Sequence, residues 1–178
     1  MEKRREYEKF VHTSFRIPLR VRIELEDEAK RLGTNLNALG NNVLARHATF
    51  DQLTEHVEAV TLARAIFTSM LEKISEEDMA DAGRELGSRI AKQTLAFYNI
   101  QPSLENLTDS FFRPLGSFSR WYSFNTSGSG QSLKMVFEHA YGPKWTAFLK
   151  EYLSGVIKST TGVEPRIKTE DNLLTIRF

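Results

Sequence analysis

At 178 residues the chain has room for one ordinary domain, or for a small module followed by a larger one. Its 40% hydrophobic and 26% charged residues are those of a folded protein, and the absence of cysteine excludes disulfides, thiolate nucleophiles and cysteine-ligated metals. The net charge of +1 is unevenly spread: residues 1–23 hold seven Lys and Arg against three Glu, a local +4, which leaves −3 for the rest.

The chain opens on MEKRREYEKF, which lacks the apolar core of a secretory signal. No apolar run reaches the roughly 18 to 20 residues that span a bilayer, so no membrane association and a cytoplasmic location are expected. Within this basic head, Lys3, Arg4, Arg5 and Lys9 suit contacts to a polyanion such as a phosphate backbone; a solvated basic terminus is the plainer alternative. From Val11 to Pro18 the side chains alternate as in a short strand, which the Pro ends. Val21, Leu25, Ala29 and Leu32 then share a helical face, with Gly33 as the stop. Thr34-Asn35-Leu36-Asn37 offers capping side chains for a second helix carrying Leu39, Val43, Leu44 and His47. Leu19 to Glu26 also alternates as a strand would, so a longer strand interrupted at Pro18 is the structural rival. A strand and two helices within some fifty residues bury too little apolar surface, so this module needs a second copy to pair its strand.

Beyond Phe50 the period is helical. Leu53, Val57, Val60, Ala63, Phe67, Met70 and Ile74 fall on one stripe and predict a long amphipathic helix. Ser75 with Asp78 starts another, whose inner face is Met79, Ala82, Leu86, Ile90 and Leu95 or Phe97; Gly83 and Gly87 let a neighbour approach closely. Ser103 opens a shorter helix with Leu104, Leu107, Phe111 and Leu115 inward. From Gly116 the signals change to strands at 121–126 and 133–139 around Ser127-Gly128-Ser129-Gly130. A helix from about Pro143 to Thr161 follows, then strands at 163–168 and 173–178 turning at Glu170-Asp171-Asn172. The expected fold class is α+β: a module over residues 1–50, then a domain over 51–178 with a small antiparallel sheet.

Ile17-Pro18-Leu19-Arg20-Val21, the step from Pro18 to Gly33 and the following Thr34-Asn35-Leu36-Asn37 resemble the ribbon-helix-helix DNA-binding family of Arc and methionine repressor type. The resemblance covers roughly residues 10–50. It implies a homodimer whose paired strands form a ribbon in the major groove of double-stranded DNA, with alternate residues reading base edges. Those residues are His12, Ser14 and Arg16. Arg suits guanine O6 and N7, and Ser suits most bases; for His12 a solvent-exposed role is the alternative. Phe15 and Ile17 on the opposite face, with Val21 and Leu25 behind them, form the expected dimer core. Thr34, Asn35 and Asn37 at the second helix start are expected to hold a phosphate, a role compatible with capping.

The residues from 53 onward resemble the V4R/Bet3-like domains, on Ala82 to Gly87, Phe148 to Gly155 and the closing hairpin from Val163 to Phe178. That likeness implies a ligand-sensing or oligomerisation domain, the former for an apolar small-molecule effector. Phe111, Trp121, Phe124, Phe137 and Trp145 are the candidate pocket lining, with ordinary core as the alternative reading. The cysteines usual in the family's last hairpin are missing. The histidines at 12, 47, 56 and 139 form no ligand cluster, and no catalytic triad, carboxylate pair or phosphate loop is present, so neither metal, cofactor nor enzymatic activity is expected. The sequence thus predicts a homodimeric transcriptional regulator. A ribbon-helix-helix antitoxin with a toxin partner, or an assembly protein that binds no DNA, are the alternatives.

Overall fold

In the computed structural model, which describes residues 11–56, 59–97 and 99–178, helix begins directly after Pro18. Helix α1, Leu19–Arg31, replaces the rival long strand. The alternation that imitates a strand also sets Arg20 four residues before Glu24 and Arg22 four before Glu26, and both pairs close, at 3.6 and 2.8 Å. Such pairs each add a few tenths of a kcal/mol to a helix. Gly33 ends α1 in the left-handed region, at φ 64°, and two backbone bonds fix the turn: Gly33 N–H to Lys30 O at 3.1 Å and Thr34 N–H to Ala29 O at 2.9 Å. This is the Schellman arrangement, which satisfies carbonyls the helix leaves open. Asn35 Oδ1 then accepts from Ala38 N–H at 2.9 Å and caps α2, Leu36–Arg46.

The chain forms two compact units, one to Leu44 and one from Ala45 to Phe178. The second starts with a π-helical turn, His47–Asp51, and α3, Gln52–His56; Phe50 lies on Phe118 with ring centroids 5.8 Å apart. The long helix expected over 53–74 is not continuous. Residues 59–63 are not helical, and α4 covers Arg64–Lys73. Val60 and Met70, both assigned to the buried stripe, are exposed, while Phe67 and Ile74 are half-buried and Leu71 is buried. Val57 lies outside the described residues. Tertiary contacts account for the placement of α4. Phe67 packs edge-on against Tyr141 and Trp145, and Lys144 Nζ donates to Leu71 O and Glu72 O at 3.1 and 3.0 Å.

Helix α5, Glu76–Phe97, is capped as its sequence predicts, Ser75 Oγ accepting from Asp78 N–H at 3.0 Å. Ser103 does the same for α6, Leu104–Leu107, which continues through a π-helical turn, Thr108–Phe112, into α7, Arg113–Ser119. Helix α8 covers Pro143–Thr161. A Cβ at Gly83 would stand 2.3 Å from Phe148 O, one at Gly87 2.3 Å from Tyr152 O, and one at Gly155 3.2 Å from Gly87 C. Helices α5 and α8 therefore run in the same direction with their backbones almost touching, which no residue larger than glycine permits.

Strands β1 (Ser123–Ser127), β2 (Lys134–Glu138), β3 (Arg166–Glu170) and β4 (Leu173–Arg177) make one antiparallel sheet in the order β1-β2-β4-β3. The two hairpins are joined through β2 and β4. Phe124, Met135, Phe137, Leu174 and Ile176 belong to a core shared with Trp145, Phe148, Leu149, Tyr152, Leu153, Val156 and Ile157 of α8. The class is α+β. Among the described residues, no helix is long and apolar enough to cross a membrane.

Candidate nucleic-acid interface

In the first unit, residues 11–18 carry no regular secondary structure, and every side chain from Val11 to Pro18 is exposed. His12, Ser14 and Arg16 alternate along this segment with Thr13, Phe15 and Ile17. Phe15 keeps 66% of its surface and Ile17 44%, whereas Val21 and Leu25 on α1 are half-buried. Among the described residues of this unit, only Ala29 and Leu39 are buried. Leu19, Ile23, Leu32, Val43 and Leu44 are exposed as well. Lys3, Arg4, Arg5 and Lys9 lie outside the described residues.

Thr34, Asn35 and Asn37 gather at the start of α2, all exposed. Asn35 is committed through its Oδ1 to the cap, which leaves its Nδ2 to solvent or a ligand. Four N–H groups at such an end lack helical acceptors, and the helix dipole favours an anion there. Arg16 has no ion-pair partner among the described residues, while Arg20 and Arg22 are engaged with Glu24 and Glu26.

The aromatic residues considered as a pocket occupy the interior of the second unit. Phe111, Phe137 and Trp145 are buried, and Trp121 and Phe124 are partly buried against them. Trp121 meets Trp145 at 5.3 Å and Phe124 meets Phe137 at 4.8 Å between ring centroids, and Trp145 Nε1 donates to Trp121 O at 3.2 Å. These are the spacings of rings packed on one another.

His139, also buried, has both ring nitrogens engaged. Thr146 Oγ1 donates to Asp171 O at 2.7 Å and so accepts from His139 Nε2 at 3.0 Å, while Nδ1 accepts from Tyr141 N–H at 3.2 Å. Burial lowers its pKa to about 4 and keeps the imidazole neutral. It ties β2 to α8 and to the final turn.

A concave region of about 730 Å³ lies elsewhere, on the outer face of the sheet. Lys134, Arg166, Lys168 and Arg177 line it together with Glu170, Ile167, Leu173, Thr175 and Phe178. Sequence reasoning missed this grouping. The alternation Arg166, Lys168, Glu170 on one strand and Thr175, Arg177 on the next was a visible signal, but only the β2–β4 pairing sets Lys134 beside Arg177. No protein-family model matches the chain, and no curated protein matches it significantly.

Proposed function

We propose that the protein is a sequence-specific DNA-binding regulator that acts as a homodimer through a ribbon-helix-helix module. One observation carries this reading: a unit built as an exposed segment without regular secondary structure, a helix, a Schellman turn and an Asn-capped helix buries only Ala29 and Leu39 of its described residues and leaves Phe15 and Ile17 in water. A second copy gives those residues a core, because pairing two segments through residues 13–17 turns Phe15 and Ile17 to one side and His12, Ser14 and Arg16 to the other. Val21 and Leu25 complete the apolar side. The polar side then enters the major groove, with Arg16 on guanine, while Thr34, Asn35 and Asn37 hold flanking phosphates. Residues 3–9 add charge to the phosphate contact. The second unit serves assembly or ligand sensing.

A gel-shift against the DNA upstream of the protein's own coding region, at two salt concentrations, tests the proposal. The expected result is a specific complex that weakens steeply with salt. Arg16→Ala should cost about 1–3 kcal/mol on that site and relax preference at one base position. Equal loss on every sequence would reassign Arg16 to a phosphate, and dimers without any DNA complex at low salt would leave an assembly protein.

A further inference from the structure

Of the four cations at outward positions of the sheet, Lys134, Arg166, Lys168 and Arg177, Lys168 alone is ion-paired among the described residues. Lys134 is registered opposite Arg177, and Arg177 opposite Arg166, so three cations form one row across β2, β4 and β3. Lys168 stands two residues further along β3 and is held by Glu170. Among the described residues, Lys134, Arg166 and Arg177 have no ion pair. Glu138, another acid on this face, is four residues from Lys134 along β2, opposite Leu173. Like charges directly opposed across a ladder cost stability, so a fold that keeps three in register stands to gain from an anion that separates them.

We propose that this face binds the phosphate backbone of duplex DNA, as a second contact that carries no sequence information. The row favours a duplex over a compact anion. Its members stand side by side on adjacent strands, and Arg166, Lys168 and Arg177 are exposed rather than drawn into an enclosed pocket. At about 4.8 Å per strand, Lys134 to Arg166 spans roughly 10 Å, the axial run of about three phosphates of one DNA strand. The inference rests on the reading of the protein as a DNA binder but uses residues that reading does not need.

The test uses the full chain and a labelled duplex of arbitrary sequence, with affinity followed over a series of NaCl concentrations. A Lys134→Gln, Arg166→Gln, Arg177→Gln triple variant should lower the slope of log affinity against log salt by about 2 to 3, and weaken binding at low salt at least tenfold. Its melting temperature should not fall, since the substitutions remove repulsion. A wild-type slope in the triple variant would overturn the proposal, as would loss of tripolyphosphate binding in that variant with DNA binding intact. Arg16→Ala separates the two readings. If it relaxes preference at one base position while the triple variant keeps its slope, the sheet contact falls and the ribbon stands. If it changes nothing while the triple variant loses slope, the ribbon falls instead.

Discussion

The two units dispose of their apolar residues in opposite ways. In the second, eighteen buried side chains of the described residues form a single cluster between helices and sheet. In the first, Ala29 and Leu39 are buried while Phe15, Ile17, Leu19 and Ile23 face water. Yet local structure is as well specified in the first unit as in the second, by Pro18, Gly33 and Asn35. The contrast teaches that capping and turn chemistry fix where helices begin and end, whereas independent stability needs apolar area that a short module has only in duplicate.

The sharpest way to break that contrast is to open the core that makes the second unit self-sufficient. Alanine normally favours a helix over glycine by about 0.5–1 kcal/mol. Gly83→Ala with Gly87→Ala should nevertheless destabilise the second unit by about 4 kcal/mol, because each methyl meets the α8 backbone. Chemical denaturation monitored by tryptophan fluorescence measures this, and a stabilised double variant would show that the helices part at no cost.

Acid should act on the same unit through His139. Its folded pKa of about 4 lies below the 6.5 of the unfolded chain, so between these values the unfolded state binds more protons. The contribution is complete above pH 6.5 and is lost as pH falls toward 4, amounting to about 3 kcal/mol. Denaturation midpoints of wild type and His139→Gln across that window should converge at the acid end. Parallel curves would mean that His139 titrates normally.

The smallest effect separates the units most directly. If the first unit folds by association, its stability falls by about 1.4 kcal/mol for each tenfold dilution, and that of the second, as a self-contained core, does not. Two chains share that loss, so hydrogen exchange should show amide protection in α1 and α2 dropping about threefold per tenfold dilution, with α5 and α8 unchanged. Concentration-independent protection in α1 would refute association through this unit.

Much of this was legible in the residues. Ser75 and Ser103 announce their helices, Pro143 to Thr161 is read almost to the residue, and Gly83 and Gly87 forecast a close helix contact. The misreading over 53–74 has a physical cause: an apolar stripe at helical spacing continues through residues 59–63, but Phe67 is held by Tyr141 and Trp145, more than seventy residues away. Of the proposed interface, the alternation of His12, Ser14 and Arg16 was visible from the start. The cationic row was not, because Lys134, Arg166 and Arg177 are unremarkable outward residues until their strands are adjacent.

By itself the sequence determined the ends of most helices, the two hairpins and the poverty of the first unit's core, since caps, turns and local apolar content depend on neighbours a few positions apart. Tertiary structure alone decided the non-helical stretch at 59–63 before α4, the identity of α8 as the glycine stripe's partner and the meeting of β2 with β4. Each of these depends on packing between segments distant along the chain, where the favourable contact outweighs local preference.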